Sequence, residues 1–177
     1  MLCNPISLML ISGDILLRPL QDHDTGALAH LANNKNISDN LRDFFPYPYS
    51  TADAIFFIRL VKKEDPQMTF AITYQGQFCG VIGLIGQPDV YRKSAEIGYW
   101  LGEPYWNKGI TTIAVKLVTD YGLQQLDLIR IHTGVFEFNL GSMRVLEKNG
   151  YKREGVFEKS VLKNGRIWDE HRFARTK

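Results

Sequence analysis

The sequence predicts a mixed α/β (α+β) fold, a central sheet of about seven strands with about four helices on its faces. Three features carry that reading. Helix-like segments repeat apolar residues at three- and four-residue steps, whereas β-branched and aromatic runs in the middle and at the end of the chain read as strands. Asn164-Gly165 lies between two of those runs and signals a hairpin. No repeat, low-complexity stretch or flexible linker divides the sequence, so one domain covering residues 1–177 is expected.

The elements follow in order. Asp14–Leu20 (DILLRPL) reads as a strand ending at Pro19, and Asp22–Asn34 as a capped helix. Arg42–Tyr49 (RDFFPYPY) is interrupted by proline, cannot be a regular helix and is expected as a loop. Ser50 or Thr51 then caps a helix over Ser50–Asp65, with Asp53 in its first turn, Lys62 and Lys63 near its end, and Pro66 stopping it. Met68–Tyr74, Gln77–Gly86 and Ser94–Leu101 are strand-like, the first two joined by a turn at Tyr74–Gln77. Ile110, Ile113, Ala114, Leu117, Val118 and Tyr121 form the stripe of a helix over Lys108–Leu123. Ile129–Phe136 alternates as a strand. Asn139–Tyr151 is a helix capped by Asn139, with Leu140, Met143 and Leu146 as its buried stripe and Gly150 as its left-handed end. Val156–Ala174 closes the chain as two strands.

At 177 residues such a domain should bury about 70% of its unfolded surface. A composition of 45% hydrophobic and 23% charged residues excludes a disordered or fibrous chain. The net charge of +2, from 21 basic and 19 acidic residues scattered along the chain, shows no broad footprint for nucleic acid. Cys3 and Cys79 make neither a disulfide framework nor a metal-ligand pattern, so both are read as reduced thiols and no metal is expected. The apolar run Ile6–Ile11 is too short for a signal-peptide core and lacks a basic stretch before it, which points to the cytoplasm. Pro66–Pro88 is uncharged, but its Gln, Thr and Gly residues suit two buried strands better than a membrane span.

Chemistry is suggested first at Glu103–Gly122 (EPYWNKGITTIAVKLVTDYG). The helix it opens has no Asp or Glu in its first turn, and Lys108 and Gly109 stand at its start. A glycine turn with free backbone N–H groups is a ready phosphate site, although Gly109 could equally serve only to ease the turn. Ile-Thr follows Gly109 rather than the residues of a P-loop, and Gly80–Gly86 (GVIGLIG) lacks the dinucleotide spacing.

Ala95–Lys116 (AEIGYWLGEPYWNKGITTIAVK) and Asn139–Val156 (NLGSMRVLEKNGYKREGV) resemble the GNAT superfamily of acetyl-CoA-dependent N-acetyltransferases, in particular the RimJ/RimL-like type that modifies ribosomal-protein N-termini. Leu16–Asp24, Phe44–Ala54 and Leu162–Ala174 extend the likeness over nearly the whole chain. The resemblance implies a GNAT fold whose sheet is splayed in the middle. It implies that Trp106, Asn107, Lys108, Gly109, Ile110 and Thr111 receive the pyrophosphate of coenzyme A, and that the strand end Tyr99, Trp100 and Leu101 opens the gap for the pantetheine arm. Asn107 and Thr111 stand where the family usually has small residues, and Leu146 where many members have a tyrosine acid.

An amine reaches neutral solution mainly as ammonium and needs a base before it can attack a thioester. Glu96, a carboxylate within an apolar strand, is the candidate, its pKa raised by burial; it would equally pair with an Arg or Lys of a neighbouring strand. A backbone N–H near Leu101 would bind the oxyanion. Ser142 is what the subgroup pattern offers to protonate the departing thiolate, and it could also be a plain first-turn serine. Asn139 would face the coenzyme or only cap its helix, and Arg144 would meet a phosphate or stand in solvent. Phe44, Phe45 and Tyr47, with Tyr49, could wall the acceptor cleft or pack as a lid, and Asp169, with His171 on the same side of its strand, could line it. Cys79 with His132 is set aside as a nucleophile, because no third group orients the pair.

The resulting expectation is a cytoplasmic enzyme, monomer or homodimer, that uses acetyl-CoA as co-substrate to acetylate a primary amine, either a protein N-terminus or a small amine. No membrane contact, strong nucleic-acid binding or covalent acyl-enzyme is expected. The alternatives are a non-catalytic acyl-CoA-binding module and a ribosome- or RNA-associated protein that keeps the fold for docking.

Overall fold

The structure, a computed structural model, describes residues 8–177. Cys3 and the start of the Ile6–Ile11 run lie outside the described residues. Eight strands form one sheet: β1 (Leu10–Ser12), β2 (Ile15–Arg18), β3 (Thr69–Tyr74), β4 (Gln77–Gly86), β5 (Ser94–Leu101), β6 (Arg130–Phe136), β7 (Lys152–Lys163) and β8 (Arg166–Thr176). Their spatial order is β1-β2-β3-β4-β5-β6-β8-β7. The helices are α1 (Thr25–Ala32), α2 (Lys35–Ser38), α3 (Thr51–Val61), α4 (Ile110–Gln124) and α5 (Leu140–Lys148).

The strand and helix counts each exceed the expectation by one. β1 is the end of the short apolar run, which folds back on β2 through a turn at Gly13 (φ +56°). α2 is a single turn capped by Asn34, whose side chain accepts from the Asn36 N–H at 2.8 Å, too short to show a periodicity in the sequence. Elsewhere the local signals operate as expected. Ser50 and Asp53 form a reciprocal cap on α3, Gly150 is left-handed after α5, and Asn164 and Gly165 both take positive φ in the β7–β8 turn. On α5, Met143 and Leu146 are buried, but Leu140 is 57% exposed, because the first helical residue faces a cleft rather than the core.

Two apolar layers sandwich the sheet. On one face Phe70, Ile72, Ile82, Ile97 and Ile131 meet Ala114, Val115 and Val118 of α4 and Leu146 of α5. On the other, Ala71, Phe78 and Val81 meet Leu28 of α1 and Ile58 of α3. Each fully buried Ile or Leu stabilises by about 2 kcal/mol. Gly122 lets α4 approach closely, since a methyl there would lie 2.8 Å from Ile131 and 2.9 Å from Leu84. Cys79 is part of this core; burial pushes its thiol up to about 12, and its Sγ donates to the Ile72 carbonyl at 3.3 Å.

Every neighbouring pair is antiparallel except β5 and β6. That parallel pairing runs only from Ser94↔Arg130 to Glu96↔His132. Beyond Glu96 the two strands part, and residues 97–101 face a gap.

One ion pair anchors the second layer. Asp24, 2% exposed, takes both guanidinium nitrogens of Arg18 at 2.7 Å and the Gln21 N–H at 2.8 Å. Burial opposes its charge, but the bonds from Arg18 and Gln21 outweigh it and hold the carboxyl below its usual range. A depressed folded pKa stabilises above the unfolded value, near 3.9 for Asp, and that contribution fades as pH falls through the folded pKa. Asp24→Asn should therefore cost about 3 kcal/mol in urea unfolding at pH 7, with the difference from the parent shrinking below about pH 4.

Candidate active site

A cleft of about 1200 Å³ opens where β5 and β6 part. Tyr99, Trp100, Leu101, Trp106–Thr111, Asn139, Ser142, Arg144, Glu96, Phe44 and Phe45 all line it. Tyr47, 51% exposed, and Asp169 do not. Asp169 is turned by strand alternation toward β7, where its Oδ1 accepts the Lys159 N–H at 2.7 Å and holds a bulge between Phe157 and Val161. The neighbouring Glu170 lines the cleft instead. The sequence reading missed it because the parity of an edge hairpin depends on register. Gly134, opposite Arg172 on β6, makes the room, since a side chain there would overlap the Glu170 carboxylate.

The start of α4 answers the question raised by its sequence. Gly109, at φ +75°, precedes the helix; no side chain caps it among the described residues, and the first turn carries no acid. Space does not demand this glycine, because a methyl would meet nothing within 4 Å, but the left-handed backbone does. Asn107 is also left-handed, at φ +60°, a conformation that asparagine adopts more readily than most side chains. Lys108 lies with Nζ 5.4 Å from the Tyr105 ring centroid. Asn149 fixes α4 against α5 by donating to the Thr112 carbonyl at 3.1 Å and the Val145 carbonyl at 2.8 Å. Lys108 and Arg144, with Lys148 one turn beyond Arg144, line this end of the cleft and make it cationic.

At the fork, two groups of residues lie on opposite sheet faces. On the α4/α5 face the Tyr99 hydroxyl is 2.8 Å from Ser142 Oγ, and the Ser142 N–H donates to Asn139 Oδ1 at 3.1 Å. Burial raises the Tyr99 pKa well above the usual phenol value, with the Ser142 bond partly opposing it. Asn139 therefore caps α5 while lining the cleft. On the other face, cross-strand register gathers Glu96, His132, Gly134, Phe136, Glu170 and Arg172. Glu96 is not isolated in apolar surroundings as expected; its carboxylate pairs with Arg42, from the loop after α2 rather than from a neighbouring strand. Glu170 pairs with Arg172 at 2.7 Å. Burial, the largest effect, holds the His132 pKa below its ordinary value; Arg172 and Arg130 reinforce this and Glu96 opposes it. Trp106 donates from Nε1 to the Leu101 carbonyl at 2.7 Å, tying the end of β5 to the loop before α4.

The split sheet thus has an uncapped helix opening onto its gap. The acetyltransferase (GNAT) domain family matches residues 14–152, and the chain belongs to that family of N-acetyltransferases. It is 34% identical to the probable N-acetyltransferase YjcK of Bacillus subtilis (strain 168), over 92% of this chain and 93% of that protein. It is 27% identical to a spermidine N(1)-acetyltransferase of Escherichia coli (strain K12), over 85% of this chain and 80% of that one. Its fold superposes on RimL, a ribosomal L7/L12 alpha-N-protein acetyltransferase solved with coenzyme A, with a TM-score of 0.85, covering 96% and 98% of the two chains at 22% identity. No helix among the described residues is long and apolar enough to cross a membrane.

A β-branched residue is strongly disfavoured at φ +75°. Gly109→Val should therefore lower stability by about 1–2 kcal/mol, the cost of the left-handed backbone for a side chain, measured by urea unfolding.

Proposed function

We propose that this enzyme moves acetyl from acetyl-CoA directly to a primary amine held in the same cleft. The observation that carries the reading is the uncapped start of α4 at the mouth of the gap between β5 and β6. Backbone N–H groups from Gly109 to Thr111 bind the diphosphate there, with Lys108, Arg144 and Lys148 adding positive charge. The pantetheine arm threads the gap and brings the thioester level with Glu96, the last residue of β5 that pairs with β6.

The acceptor approaches from the face that carries Glu96 and Glu170. Glu96 takes a proton from the ammonium, directly or through water, once Arg42 yields part of its hold on the carboxylate. The neutral amine attacks the carbonyl carbon, and the C–N bond forms as the carbonyl electrons move to oxygen. A backbone N–H near Leu101 stabilises that oxyanion. Collapse breaks the C–S bond, and the thiolate takes a proton from Ser142, whose hydroxyl is joined to that of Tyr99 at 2.8 Å. The proton shed by the new amide nitrogen restores Ser142 through solvent, and Glu96 releases its own proton to solvent. This strand tyrosine supplies a hydroxyl where the helix has Leu146. No acyl-enzyme forms, and much of the acceleration comes from holding donor and amine together.

Glu96→Gln should lower kcat by about a hundredfold or more while the dissociation constant of coenzyme A stays close to the parent's. Wild-type turnover by this variant across pH would remove Glu96 as the base. Ser142→Ala and Tyr99→Phe should each lower kcat with little change in the acceptor KM, and the double variant should fall short of the product of the two single effects, because the hydroxyls act as one unit.

A further inference from the structure

Beside the cleft lies a smaller chamber of about 460 Å³, within the range of small-ligand sites. The β7–β8 hairpin forms one side of it, held by Asn164 Nδ2 donating to Asp39 at 2.8 Å and Lys163 Nζ to Asp43 at 2.7 Å. Trp106, Phe138 and Trp168 give it aromatic walls, with the Phe138 and Trp168 rings 4.8 Å apart. Asn36, Asn40, Trp106 and Phe138 line both spaces, so the chamber continues the cleft past the loop that opens α4.

The charge in this chamber is uneven. Asp39, its one acid, is already bonded to Lys35 at 2.7 Å and to Asn164, while Lys163, whose side chain is 6% exposed, holds Asp43. Arg166, also in the lining, has no carboxylate partner among the described residues. The charge left to meet a ligand is therefore a guanidinium beside aromatic rings. A second ammonium, as in a polyamine, would meet that cation with no free carboxylate to hold it. A carboxylate would gain a charge-assisted, bidentate bond. Asn36 and Asn40 commit their Nδ2 groups to Glu103 and to the Asn36 carbonyl, so the Oδ1 atoms are what they can offer to a peptide N–H.

We propose that this chamber is an acceptor subsite for an acidic side chain, carried by a peptide whose N-terminal amine reaches Glu96. The inference rests on the transfer reading above and narrows its acceptor. Trp106 adds a link, because it lines both this chamber and the cleft.

The test uses the purified enzyme with saturating acetyl-CoA, scored by free coenzyme A. Three acceptors are compared: the amidated peptides Ser-Asp-Phe-Ala and Ser-Lys-Phe-Ala, and spermidine. The acidic peptide should exceed the basic one by at least tenfold in kcat/KM at low salt, and the margin should shrink as salt rises. Arg166→Ala should reduce the preference and Arg166→Glu should reverse it; Arg166 is exposed, so both variants should fold. Spermidine or the lysine peptide as the better acceptor, or an unchanged ratio in Arg166→Glu, overturns the subsite and leaves acetyl transfer standing. No turnover of either peptide while acetyl-CoA still raises the melting temperature also overturns the subsite. Failure of acetyl-CoA to bind at all overturns the transfer reading itself.

Discussion

The parting of β5 from β6 after Glu96 is the constraint on which the rest of the molecule depends. Backbone polar groups near a core need partners, and a sheet that splits in its middle leaves some without them. The fold confines the split to residues 97–101 and sets the uncapped start of α4 beside it. A ligand that carries both negative charge and amide-like groups along its length suits both at once. Under the proposed reading the donor completes the sheet on one side and the helix on the other.

The two sheet faces then divide the chemistry. Alternation sends Tyr99 toward α5 and Glu96 toward Arg42 on the other face, so under the proposed reading acid and base stand on opposite sides of the gap. Charge follows the same division. Lys108, Arg144 and Lys148 gather at the α4 end of the cleft, while Glu96 and Glu170 on the other sheet face are each matched by an arginine. Arg42 is half exposed and sits on a loop, whereas Arg172 comes from a paired strand. The Glu96 pair is thus the easier of the two to open when an amine arrives, because its partner gives up few fixed contacts.

Much of this was legible locally. The turn Asn164-Gly165, the Ser50 and Asn139 caps and the stripe of Lys108–Leu123 are short-range physics, and the matching elements formed close to their expected bounds. The uncapped start of α4 could be located because a glycine and a missing acid at a helix start are properties of adjacent positions, whereas the residues of its loop were named from the family resemblance. The acceptor side was harder to read. Asp169 and Glu170 are neighbours in sequence, and only the bulge in β7 and the gap at Gly134 decide which of them faces the cleft. Arg42 and Glu96 are 54 positions apart, so no window of sequence pairs them.

The sequence alone therefore determined most of the elements, their order and the helix start, since periodicity, caps and left-handed turns act over a few residues, and its resemblance to known acetyltransferases pointed to the family. Tertiary structure decided the partner of Glu96, the meeting of Tyr99 with Ser142, and the chamber beside the β7–β8 hairpin. These are contacts between distant segments, set by strand register and by how far a bulge bends an edge. One residue of register exchanges the inward and outward side chains of a strand, and no local pattern records where that register will settle.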